Sequence, residues 1–221
     1  MEVSAVYVDL EYYGFPLRAR VRYQLASNYL SLFISDWLKE RRLDLGAFNR
    51  FVFVEGSRVD MQIVGDRAFA VGTSETVNAA GASLISERCL HSDVDVHSYF
   101  VGKYLEGFKR VDEYFGLSLS APLAEAIAVN VSPGLAYETP AGGHELRAGR
   151  LRLFHRYTTE RYQLVAAESG PQKGDSEPEF ILMELIPDPF KVHYHVSTIT
   201  VDGRRVTIAN KTGSEVVVKE L

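Results

Sequence analysis

The sequence predicts an α+β fold: a mainly antiparallel sheet, two long amphipathic helices in the amino-terminal part and a β-meander in the carboxyl-terminal part. Three observations predict it. Short alternating apolar segments are joined by Gly-, Asp- and Pro-containing turns with no regular intervening helices, which favours antiparallel pairing over a doubly wound parallel sheet. Two long stretches before Gly116 carry apolar residues at three- and four-residue spacing. Beyond residue 140 the pattern is that of strands.

Residues 3–10 alternate apolar and other side chains, and Leu17, Ala19, Val21 and Tyr23 repeat the alternation after Tyr13-Gly14-Phe15-Pro16, which predicts a hairpin. Ser27 stands where an N-cap belongs. Leu30, Phe33, Ile34, Trp37 and Leu38 then follow at helical spacing to the basic end Lys39-Glu40-Arg41-Arg42. Residues 51–55, 59–64 and 68–71 read as three short strands, the last two turning at Gly65-Asp66-Arg67. Residues 73–90 fit either a loop or a helix interrupted at Gly81, with Val77, Leu84, Ile85 and Cys89 near one face. Helical spacing returns from Val96 through Phe100, Tyr104, Phe108, Val111 and Phe115 and stops at Gly116. Pro122, after Ser120, opens a shorter helix reaching Ala128.

After Glu138-Thr139-Pro140-Ala141-Gly142-Gly143, strands are predicted at residues 150–157, 162–167, 180–186, 192–201, 205–209 and 216–219. Asp202-Gly203 is the clearest hairpin turn, and residues 168–179 are polar and read as a surface loop. The expectation is a single α+β domain, residues 1–221, with a candidate lobe boundary near 138–144.

Composition narrows the function classes. A chain of 221 residues, 46% hydrophobic and 24% charged, can bury a full core, which excludes disordered and fibrous classes. Cys89, the single cysteine, excludes an intrachain disulfide and leaves any metal to imidazole and carboxylate ligands. The start lacks the basic and apolar regions of a signal peptide, and no window approaches the roughly 18 apolar residues of a membrane span. A cytoplasmic protein without membrane contact is therefore expected. The formal charge of −5 argues against a surface that tracks nucleic acid throughout.

Two groups of residues are candidates for chemistry. In His91-Ser92-Asp93-Val94-Asp95-Val96-His97, His91, Asp93 and His97 are candidate metal ligands; Asp93 and His97, four apart, share a face in a helix. The same letters also describe a helix start, with Ser92 as N-cap and Asp93 and Asp95 at the positive end of the dipole, and that reading is favoured. His193 and His195 would point to one side of a strand and could join the same metal site. Arg18, Arg20 and Arg22 would form one row on a strand face, and Arg150, Arg152 and Arg156 another; such rows bind phosphate or RNA, or are balanced by acids on adjoining strands, as is favoured here.

No G-x-S-x-G, S-x-x-K, H-E-x-x-H or glycine-rich phosphate loop is present, and twelve tyrosines with twelve phenylalanines supply rings for a core and for interfaces. The sequence thus points first to an acidic protein-binding domain, of inhibitor or immunity type, engaging a basic macromolecular partner without a cofactor. The alternative is a small enzyme or ligand-binding domain that uses the His/Asp cluster with a divalent metal, or an arginine-lined face for an anion.

Overall fold

The computed structural model describes residues 2–11, 16–46, 48–56, 61–64, 67–73, 93–131, 136–146, 149–169 and 179–221. Residues 74–92, which include the ambiguous stretch around Gly81 and Cys89, lie outside them. The chain is α+β, and it divides into two compact units, Met1–Tyr137 and Glu138–Leu221.

In the first unit the elements are β1 (Ala5–Leu10), α1 (Leu17–Arg41), β2 (Arg50–Glu55), β3 (Met61–Val64), β4 (Ala68–Thr73), α2 (Asp93–Phe115) and α3 (Ser120–Asn130). The sheet order is β1-β2-β4-β3. The predicted β3–β4 pairing is antiparallel, but β1 with β2 and β2 with β4 run parallel. Parallel neighbours need a long crossover, and α1 supplies it between β1 and β2.

That crossover corrects the predicted hairpin. Leu17, Ala19, Val21 and Tyr23 belong to the first two turns of α1, not to a strand. Pro16, extended at φ −61° and ψ 146°, stands at the N-cap, where proline's fixed φ and missing N–H start a helix readily. Ser27 lies inside α1 rather than at its start, and its hydroxyl donates to the Gln24 carbonyl at 2.9 Å.

Register places Val6, Val8 and Leu10 of β1 beside Phe51, Phe53 and Glu55 of β2, and these beside Phe69, Val71 and Thr73 of β4. All nine are buried on one face. Helix α2 lays Phe100, Tyr104, Phe108 and Val111 against it at the predicted spacing. Phe108 meets Phe51 and Phe53 edge-on at centroid distances of 5.8 and 5.1 Å. The helix comes this close because of Gly107, where a Cβ would lie 2.5 Å from the Phe53 ring. It ends as expected at Gly116, φ +66°, with the Leu117 N–H bonded to the Asp112 carbonyl at 3.0 Å.

The second unit has strands β5 (Tyr137–Leu146, starting at the boundary), β6 (Gly149–Tyr157), β7 (Tyr162–Ser169) and β8 (Glu179–Leu185), ordered β5-β6-β7-β8. Helix α4 (Pro189–His195) and a sheet β11-β10-β9 follow, with β9 (Thr198–Asp202), β10 (Arg205–Ala209) and β11 (Glu215–Glu220). The β6–β7, β7–β8, β9–β10 and β10–β11 pairs are antiparallel. Gly203, φ +58°, is the first of the two residues joining β9 to β10, where glycine alone adopts the required backbone without strain. One predicted strand, residues 192–201, is instead α4 followed by β9: Asp188 accepts from the Phe190 and Lys191 N–H groups at 3.0 and 3.4 Å, and Pro189 occupies the first turn. Among the described residues no helix is long and apolar enough to cross a membrane.

Candidate functional site

The carboxyl ends of β1, β2 and β4 bring Leu10, Glu55 and Thr73 into one row. Glu55, in the middle, is completely buried. A strand ending Phe-Val-Phe-Val-Glu places it there, because the alternation that turns Phe51 and Phe53 inward turns Glu55 inward as well. Tyr23, from α1, donates to Glu55 Oε2 at 2.8 Å, and Tyr99, from α2, donates to the same oxygen. Lys103, one turn beyond Tyr99, brings its Nζ to 3.5 Å from Glu55 Oε1 and 3.6 Å from Glu106 Oε2. Tyr23 and Lys103 are buried, whereas Tyr99 and Glu106 are partly exposed and connect the cluster to solvent.

Burial, with Tyr99 and Glu55 close by, pushes the Tyr23 phenol well above its ordinary range, so Tyr23 stays a hydrogen-bond donor. Around the cluster the same end of the unit carries more acids. Glu11 packs directly against Gly56 and donates its N–H to the Glu55 carbonyl at 2.9 Å. Asp9 pairs with Arg20 at 2.5 Å, and the Arg20 Nε also reaches the Leu10 carbonyl at 3.1 Å. Four carboxylates, Asp9, Glu11, Glu55 and Glu106, thus stand near three cations, Arg20, Lys103 and Arg110. Carboxylates accept hydroxyl and ammonium donors, and the buried Glu55 holds those of Tyr23, Tyr99 and Lys103 through low-dielectric hydrogen bonds and an ion pair.

The residues singled out in the sequence lie elsewhere. His91 and the side chains of Asp93 and Asp95 are outside the described residues, as is Ser92; α2 begins at Asp93. His97 is half-buried, with Nδ1 2.9 Å from the Tyr29 hydroxyl, and burial holds its imidazole below the ordinary value. His193 and His195 do not share a face, because two residues of helix turn them about 200° apart. Among the described residues no three His, Cys, Asp or Glu side chains gather to hold a metal ion.

The first arginine row is corrected by the same helical geometry. Arg18 and Arg22 are exposed one turn apart on α1, while Arg20 faces β1 and Asp9. In the second row, on β6, the Arg150 side chain is outside the described residues and Arg152 is exposed. Arg156 lies between two acids, 2.6 Å from Glu138 and 2.9 Å from Glu179. Alternation on β6 also turns Leu151, Leu153, His155 and Tyr157 to the face opposite these arginines.

Sequence reasoning missed Glu55 and its partners. One signal was present: an acid directly after four strand residues of which two must be buried. Tyr99 and Lys103 were four apart on the predicted helix, but nothing in one dimension says that they and Tyr23 meet over Glu55. No family model matches the chain, and neither curated proteins nor solved structures provide a match.

Proposed function

We propose that the first unit is a ligand-binding domain whose site is the carboxyl edge of β1, β2 and β4, with Glu55 at its centre, and that its ligand is a small molecule rich in hydroxyl or ammonium donors. One observation carries the reading: Glu55 is wholly buried at the end of a central parallel strand, with partners from two helices. Removing a carboxylate and an ammonium from water costs several kcal/mol per ion, and apolar replacements of such pairs are often neutral or stabilising. Stability alone therefore gives little reason for the cluster. Its position gives another, since ligands of parallel α/β sheets bind outside the carboxyl ends of the strands. A carboxylate at the centre of the row favours donors over anions.

The test separates ligand binding from a structural role. The variant Tyr23→Phe/Glu55→Leu/Lys103→Met removes the buried polar partners together, and it is expected to unfold in urea at or above the wild-type midpoint. Glu55→Ala alone, which takes from Lys103 its buried partner and leaves it the partly exposed Glu106, is expected to lose about 3–5 kcal/mol. A thermal-shift panel of monosaccharides, nucleosides and polyamines should include a compound that raises the wild-type melting temperature and leaves the triple variant unmoved. A triple variant as unstable as Glu55→Ala, with no responding compound, would make the cluster a structural lock.

A second reading, binding of a protein partner, is favoured by β3. It is one of the two edge strands of its sheet, and all four of its residues are exposed, including Met61, Ile63 and Val64. An apolar outer strand is where a partner's strand adds. Ile63→Lys should abolish such an association in sedimentation or pull-down with the purified partner and leave the fold unchanged.

A further inference from the structure

We propose that α4 in the second unit is a binding platform for single-stranded nucleic acid. Val192 is the residue that anchors this helix, at 4% exposure. At about 100° per residue, the direction opposite Val192 falls between Phe190 and Tyr194. Those two rings are 83% and 43% exposed. Lys191 flanks them on one side and His193 on the other, and both are exposed. Lys211 is brought to the end of the same helix by the bond from its N–H to the Tyr194 carbonyl at 2.8 Å. Asn210 fixes the turn that carries Lys211, its Oδ1 accepting from the Thr212 and Ser214 N–H groups at 3.0 Å each.

Charge decides the occupant. Arg156, Arg161 and Arg204 of this unit are each held by carboxylates. Lys191, His193 and Lys211, in contrast, make no side-chain hydrogen bond or ion pair among the described residues. Asp188, the acid nearest in sequence, is engaged with the backbone N–H groups of the first turn. Two outward rings beside Lys191 and Lys211, neither paired with an acid among the described residues, match a ligand that alternates planar faces with negative charge. One helical turn separates the ring attachments by about 6 Å, wider than the 3.4 Å per nucleotide of a duplex strand, so an unstacked single strand fits and a duplex does not.

Fluorescence anisotropy of the full chain with fluorescein-labelled dT12 and rU12 tests this, with the arms distinguishing DNA from RNA. Binding is expected with either or both oligonucleotides. Phe190→Ala/Tyr194→Ala should weaken it about ten-fold or more, the usual effect of losing base stacking. Lys191→Gln/Lys211→Gln should flatten the dependence of log K on log salt by about 1.4, corresponding to two phosphates. All four positions are exposed, and unchanged melting temperatures confirm that the variants fold. No binding, or binding indifferent to both pairs of substitutions, overturns the proposal. So does capture of phosphatidylserine vesicles or a poly-glutamate peptide by the same residues in place of either oligonucleotide.

Discussion

Two histidines link the stability of this protein to pH. His155 places Nδ1 2.8 Å from the buried Tyr162 hydroxyl, and burial holds its imidazole below the ordinary value, as it does at His97. In the unfolded chain both titrate near pH 6.5, so above about that pH neither state gains a proton and the full stability is present. As pH falls through that value the unfolded chain takes up protons first, and stability drops until the lower folded values are passed. Urea midpoints are therefore expected to be level between pH 7.5 and 7 and to fall towards pH 5.5. His155→Gln and His97→Gln should each flatten part of that decline; a profile unchanged in both variants would show that these imidazoles are not its source.

Helices and strands follow local chemistry wherever a single turn or cap decides them. The end of α2 at Gly116, the β3–β4 pair and the Asp202-Gly203 turn were all legible in the sequence, because a few adjacent residues set each one. The start of α1 was not. From Leu17 to Tyr23 apolar residues alternate with arginines, a pattern that mimics a strand, but Leu17 and Val21 are exposed, and the buried Tyr23 and the Arg20–Asp9 pair with β1 are long-range contacts that adjacent residues do not announce. The Glu55 cluster was hidden for a related reason, since its members at 23, 55, 99 and 103 come from three elements. Helix α3 shows how one element can set another: the Asp112 carboxylate of α2 accepts from the Leu119 and Ser120 N–H groups at 2.7 and 2.9 Å. Leu119, the residue at the cap position, offers no side-chain bond. Asp112→Ala should thus cost about 1 kcal/mol, as loss of a cap does, measured by urea denaturation. Gly107→Ala should cost more, about 1–3 kcal/mol, by forcing a methyl group into the Phe53 ring.

The whole chain is two compact units, each with its own buried apolar residues: Phe51, Phe53, Phe100 and Phe108 in the first, Leu151, Leu153, Tyr162 and Leu164 in the second. Trp37, the single tryptophan, lies in the first unit beneath the Arg41 guanidinium, 3.4 Å from the ring centroid, so its fluorescence reports that unit alone. Far-UV circular dichroism reports both. Urea transitions followed by the two signals are expected not to coincide, and coincident curves would show that the units unfold as one. The crossover through α1 bears on how the chain is made. Ala5 pairs with Arg50, so β1 waits for the whole of α1 to be made before its neighbour exists. At about 5–20 residues per second that wait lasts seconds, during which an apolar strand has no partner along either edge. In β6 and β7, where Tyr157 pairs with Tyr162, the wait is a fraction of a second, so of these two pairs it is β1 and β2 that leaves an apolar strand unpaired for longer during synthesis.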